Sequence, residues 1–244
     1  MSGVMIVTGA GRGIGAATAR LAGQRGYAVA VNYRTAQRQA EALAVEIESA
    51  GGRAIVVQGD VAEEADVVRL FETVDDVLGP VTALVNNAGI TGPVRKVVDI
   101  DLPTLRAVFD INVIGCFLCA REAVRRMSTE RGGRGGAIVN VSSRASGLGS
   151  GGEFIHYAAS KGAVDSFTIG LAREVAREGI RVNAVNPGLI ETEINEGDRL
   201  ARLAPSVPMA RAGTAEEVAE AVLWLLSDAA SYVTGTFVHV SGGR

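Results

Sequence analysis

The chain has 244 residues, 48% hydrophobic and 21% charged, with a net charge of −3. That length fits one large α/β domain or two small ones with a core that needs no disulfide staples, and the mild negative charge excludes a general attraction to nucleic-acid backbones. Met1-Ser2-Gly3 runs straight into the apolar Val4–Val7 without a basic leader, and no uninterrupted apolar stretch approaches the roughly 18 residues of a membrane span, so a soluble, cytoplasmic protein with no membrane partner is expected.

Short β-rich runs alternate with longer helical patterns. Val4–Thr8, Tyr27–Tyr33, Ala54–Gln58, Ala83–Asn86, Ala137–Ser142, Arg181–Asn186 and Thr236–Val240 read as strands. Between them, Gly13–Arg25, Ala36–Ala50, Glu63–Leu78, Leu102–Met127, Tyr157–Glu178 and Thr214–Ser227 carry apolar residues at helical intervals. The alternation predicts an α/β fold: a doubly wound, seven-stranded parallel sheet with helices on both faces. No linker, repeat or charge block divides the chain, so residues 1–244 are expected to form a single domain, with Arg131–Gly136 a solvated loop. The segment 191–213, with Pro205 and Pro208 and little periodicity, is a candidate substrate lid.

The first strand ends in Thr8-Gly9-Ala10-Gly11-Arg12-Gly13-Ile14-Gly15 and passes at once into a helical pattern. Glycines here permit a tight turn and close backbone approach, and the helix start offers unpaired N–H groups to a pyrophosphate, which points to a Rossmann-type dinucleotide site. The second strand should end beside the adenosine ribose, where a carboxylate would select NAD. Asn32, Tyr33 and Arg34 stand there instead, with Arg12 expected on the same side, and two guanidinium groups suit the 2′-phosphate of NADP.

Tyr157 and Lys161 stand four residues apart, a spacing that places both on one helix face. A phenol of ordinary pKa roughly 10 beside an ammonium is an acid–base device, because positive charge at close range favours the phenolate. Lysine occurs only at Lys96 and Lys161, against twenty-two arginines. Position 161 therefore calls for a compact ammonium that can reach a tyrosine and a ribose together. Cys116 and Cys119 have redox-like spacing but lie in an apolar helical stretch, where they read as small buried residues. No Cys, His and carboxylate cluster at ligand spacing points to a metal.

Together these pieces resemble the short-chain dehydrogenase/reductase family almost end to end. The matching motifs are Thr8-Gly9-x-x-x-Gly13-Ile14-Gly15, Asp60-Val61, Asn86-Asn87-Ala88-Gly89, Asn112 in a long helix, Ser142-Ser143, Tyr157-x-x-x-Lys161 and Asn186-Pro187-Gly188. Within the family the chain is similar to bacterial oxoacyl-carrier-protein reductase-like and sugar-dehydrogenase-like members. The resemblance implies that Asp60 and Val61 bind adenine, that Asn86, Asn87, Ala88 and Gly89 line the adenosine ribose and central sheet, and that Pro187, Gly188, Ile190 and Thr192 border the nicotinamide and pyrophosphate. It implies Tyr157 as proton donor or acceptor, Lys161 on the nicotinamide ribose, Ser143 on the substrate oxygen, and Asn112 anchoring a water that links Lys161 to solvent. A homotetramer is implied as well, with the last strand region at an interface.

One departure stands out. The family commonly spaces serine and tyrosine by thirteen residues, whereas Ser143 and Tyr157 are fourteen apart, which makes Arg144, Glu153 and His156 candidate substrate contacts. His156, at the helix start, is expected to face solvent, opposite Tyr157. The reading is an NADP(H)-dependent oxidoreductase acting on a small carbonyl or alcohol substrate, with NAD-linked sugar or polyol oxidation as one alternative and a catalytically vestigial dinucleotide sensor as another.

Overall fold

The computed structural model describes residues 3–192 and 198–244, with no account of the side chains of residues 198 and 199. Its centre is a seven-stranded, wholly parallel sheet of β1 (Val4–Val7), β2 (Ala28–Tyr33), β3 (Arg53–Gln58), β4 (Val81–Asn86), β5 (Gly136–Val141), β6 (Ile180–Pro187) and β7 (Phe237–Val240). The order is β3-β2-β1-β4-β5-β6-β7, as the alternating sequence pattern required. Alternation along each strand feeds two cores. Met5 and Val7 join Val29, Val31 and Leu223 on one face, beneath α1 (Gly13–Gln24), α2 (Gln37–Ser49) and α9 (Ala215–Leu226). Ile6 joins Phe71, Leu84, Cys119 and Ile138 on the other, beneath α3 (Glu64–Val77) and the helices between β4 and β6. Both faces are covered, which explains why the strands read as nearly continuous apolar runs.

The stretch Leu102–Met127 is not one regular helix. It comprises α4 (Leu102–Phe109), a wide π turn over Asp110–Ile114 in which the Gly115 N–H reaches back to the Asp110 carbonyl, and α5 (Gly115–Met127). By length and mean hydropathy this run matches a membrane-crossing helix. Here its inner face, Cys119, Ala120, Ala123 and Met127, packs into the core. A buried ion cluster fastens it to α3: the Glu122 carboxylate, 4% exposed, accepts from Arg125 at 2.7 Å and Arg126 at 2.9 Å, and Arg126 also reaches Asp75 at 2.6 Å. Burial pushes the Glu122 carboxyl up, and the arginines outweigh it, holding the group below the ordinary carboxylate range. Its contribution is therefore present above that range and lost as pH falls through the lowered folded value. Glu122→Gln should lower Tm at pH 7 by on the order of 5 °C and flatten the acid limb of a Tm-against-pH curve; an unchanged acid limb would show that the cluster is not pH-linked to folding.

The remaining α-helices among the described residues are α6 (Ala145–Leu148), α7 (Ile155–Val175) and α8 (Asp198–Leu203). The 191–213 excursion thus contains a short helix that the sequence pattern did not show, while 193–197 lie outside the described residues.

Candidate active site

β1 lies between β2 and β4, and the loops leaving its carboxyl end diverge. Such a reversal of strand order opens a crevice, here about 400 Å³, with the glycine loop on one side, Tyr33–Ala36 and Gly59–Val61 at one end, and Asn87–Gly92 opposite. Gly9 and Gly13 take left-handed φ values of +60° and +54°. A Cβ on Gly9 would stand 2.9 Å from the Ala88 Cα, and one on Gly15 would run into Asn87 Nδ2. Arg12 at the α1 N-cap makes no side-chain cap, so the first-turn N–H groups remain available to an anion. The cradle fits a dinucleotide pyrophosphate.

Several predicted ligand residues also build the frame of this cleft, Asn32 and Asn87 from its wall and Thr8 from behind it. Thr8 is buried, and its Oγ1 accepts from the Asn87 and Ala88 N–H groups at 3.0 Å, tying β1 to the end of β4. Asn87 Nδ2 donates to the Thr8 and Gly9 carbonyls. Asn32 is fully engaged: its Oδ1 accepts from the Gly9 N–H and its Nδ2 donates to the Val57 and Gly59 carbonyls. It shapes the glycine loop through β2 and β3. Arg34 lines the cleft as well. Its guanidinium reaches the Asp60 carboxylate at 3.2 Å across the cleft mouth, while Asp60 Oδ1 accepts from the Ala62 N–H. Arg12 is exposed on the cleft wall with no protein partner among the described residues.

At the cleft's inner end α7 brings Tyr157 and Lys161 together. Lys161 is buried, its Nζ donates to the Val141 carbonyl at 2.7 Å, and it lies 5.8 Å from the Tyr157 ring centroid. Burial pushes its ammonium down to about 8, against the pull of Cys116 and Asp165. The Tyr157 phenol is pushed up, by burial, with a hydrogen bond to Ser143 acting the other way. This reverses the expectation that the lysine would lower the phenol's pKa: the ammonium is committed to a backbone carbonyl and the phenol has lost water. Ser142 points elsewhere, donating to the Lys161 carbonyl, so Ser143 is the serine at the phenol. Asn112, in the π turn, accepts from the Ile90 N–H at 2.8 Å and donates to the Ile90 carbonyl and to Ser160 Oγ. Ser160 in turn donates to the Tyr157 carbonyl, linking the turn to α7.

The enoyl-(acyl carrier protein) reductase family model matches residues 9–244. The chain belongs to the short-chain dehydrogenase/reductase family. It is 51% identical over 245 residues to the uncharacterized oxidoreductase YgfF of Escherichia coli, covering 99% of each chain, and 40% identical to a Synechocystis 3-oxoacyl-[acyl-carrier-protein] reductase, covering 98% of this chain and 96% of that one. Among solved structures, a Burkholderia cenocepacia short chain dehydrogenase in complex with NADP superposes with a TM-score of 0.92 at 32% identity, over 98% of this chain and 96% of that one. The chain is thus an oxidoreductase of the short-chain dehydrogenase/reductase family, with the parallel fold that its sequence predicted.

Within this short-chain dehydrogenase/reductase a second pocket, about 110 Å³, opens beside the first. Ser143 and Tyr157 line it with Pro187, Gly188 and Thr91. Thr192 lines the larger cleft, as do Val61 and Gly89, whereas Ile190 is buried and pairs with Gly213 outside both. Within the serine–tyrosine interval Gly149, Ser150 and Gly152 take left-handed φ values. His156 is not exposed as expected but 2% exposed, packed toward Gly92 and Val108 with neither ring nitrogen hydrogen-bonded. Glu153 turns toward Arg202 of α8 at 3.7 Å. The sequence reading missed Thr35 and Ala36 in the walls, Ser160, and the buried hydrogen-bonded chain Asn86–Asn140–Thr168 beneath the site. Only Ser160, one position before the lysine, carried a positional hint. Cys116 and Cys119 are buried thiols pushed up by desolvation, Cys116 to about 12, which suits packing and not redox work. Among the described residues no group of His, Cys, Asp or Glu is placed to hold a metal.

Proposed function

We propose that the protein is an NADP(H)-dependent oxidoreductase interconverting a carbonyl and an alcohol, in one domain with 191–213 as its substrate lid. The observation that carries this reading is the Ser143–Tyr157 pair, with Lys161 beside it, at the junction of the dinucleotide cleft and the smaller pocket. Bound NADPH would supply the hydride. Ser143 and Tyr157 both donate toward the substrate oxygen, and as the carbonyl carbon is reduced the phenol gives its proton to that oxygen. The raised phenol keeps this proton available at neutral pH. A cavity of about 10 Å³, room for about one water, lies between Asn112, Lys161, Asn86 and Thr8, which suits return of the proton from Lys161. In the oxidative direction each step reverses. The direct test is NADPH consumption with a panel of ketones and aldehydes; a protein that binds NADPH and reduces none of them would sink the reading.

NADP is favoured over NAD because no carboxylate ends β2 and Arg12 stands free beside the cleft. Arg34 is 55% exposed, and a surface ion pair of this kind is worth little, so its guanidinium can leave Asp60 for a 2′-phosphate. The NADP-bound Burkholderia relative supports the same choice. Arg12→Ser should weaken NADPH binding by about tenfold while leaving NADH binding nearly unchanged, measured by fluorescence titration using Trp224. Equal losses for both cofactors would remove Arg12 from the 2′-phosphate site. A homotetramer is the proposed assembly: Ile114 and Phe117 are exposed beside Phe167 of α7, and β7 is an edge strand.

A further inference from the structure

The smaller pocket carries a feature that the carbonyl chemistry does not use. Arg144 follows the serine directly, and its own N–H is fixed by the Pro187 carbonyl at 2.9 Å. Its guanidinium is held as well: Nε donates to a main-chain oxygen of Arg244, the last residue of the sequence, at 2.8 Å, and Nη1 lies 3.3 Å from His239 Nε2. A guanidinium has no lone pair to give, so His239 must be the acceptor in that contact. Two tethers position the fork, and Nη2 has no protein partner among the described residues. Among the described residues no Asp or Glu lines the pocket. Leu148, Phe154 and Leu189 give the wall an apolar part, beside Thr91 and Ser150.

We infer that the substrate carries an anionic group, a carboxylate a few carbons from the reacting carbonyl, and that Arg144 is the specificity-determining residue that receives it. This inference rests on the carbonyl–alcohol reading above. A planar fork held in place matches a carboxylate with little further ordering, and the apolar wall takes the short carbon chain between the two ends. The substrate class is then a compact oxo acid or hydroxy acid, in which hydride and proton reach the carbonyl while the carboxylate remains unchanged.

The test compares 4-oxopentanoate with its methyl ester as NADPH-coupled substrates of wild type and Arg144→Gln. Wild type should prefer the carboxylate by about tenfold or more in kcat/KM, the size of one charge-assisted contact, and the ratio should fall to about one in Arg144→Gln, through KM. A ratio near one in wild type, or one that survives the substitution, overturns the inference. Ester turnover that depends on Tyr157, without preference for the acid, would leave the carbonyl reading standing while the anion site falls. Should neither compound turn over, calorimetric titration of the NADPH-saturated protein with 4-oxopentanoate decides: binding abolished by Arg144→Gln supports the site, and absent or unaltered binding refutes it.

Discussion

Tyr157→Phe should reduce turnover by about a thousandfold while NADPH still binds with near wild-type affinity. The substitution removes one hydroxyl from a side chain whose ring packs at the start of α7, so the fold has little to lose. What it loses is the transferable proton and the partner of Ser143. Rates at saturating NADPH, beside a cofactor titration, separate the two effects. Turnover within tenfold of wild type would assign the proton step to another group. Loss of NADPH binding would instead mean that the phenol holds the cofactor, a role that its hydrogen bond to Ser143 does not require.

Lys161→Met should remove the lysine's share of the pH dependence of stability between about pH 8 and pH 10 as well as lowering turnover. The ammonium is buried, and its folded pKa of about 8 lies below the ordinary value. The unfolded chain therefore binds the proton more tightly, and the lysine's contribution to stability is full above the unfolded pKa and lost as pH falls through about 8. Relative to the methionine variant, wild type should gain about 2 to 3 kcal/mol in unfolding free energy between these limits. Cys116 and Cys119, pushed up by burial, lower stability as pH rises past the ordinary thiol value, and Tyr27 and Tyr157 do so at higher pH, in both proteins alike, so the difference isolates the lysine. Urea unfolding at pH 7.5, 8.5 and 9.5 measures the slope; parallel slopes for the two proteins would show that Lys161 is not carrying its charge into the core.

The fold was legible because a doubly covered parallel sheet writes itself in buried apolar strands spaced by amphipathic helices, and the seven strands were found within one or two residues of their ends. The cleft was legible because its glycines follow β1 directly. What the sequence could not show were pairings across distance. Arg34 lies 26 residues from Asp60, and nothing local marks that the carboxylate will claim the guanidinium. Asn32, near the end of β2, lines the cleft, and the sequence does not show that its hydrogen bonds go to the Gly9 N–H and the Val57 and Gly59 carbonyls. His156 was misread for a related reason: at the start of α7 the direction of solvent depends on the loop through Gly92, which packs against the ring. The phenol's upward shift follows from burial, a property of the assembled walls that no spacing encodes.

The wide turn at Asp110–Ile114 has a consequence for how α4 and α5 relate to the sheet. Each residue of an α-helix advances the side chains by about 100°, so a turn that holds one residue more sets the helix after it in a new angular frame. Val108 before the turn and Cys119, Ala123 and Met127 after it are all buried, but no single stripe drawn along 102–127 has to contain them. The chain therefore has two seams in that stretch, joined where Asn112 swings inward to hold Ile90. A deletion of one residue there would close the wide turn into ordinary helix and rotate everything downstream, carrying Glu122 away from its arginine-lined recess and the cysteines toward water, although every remaining side chain would be unchanged.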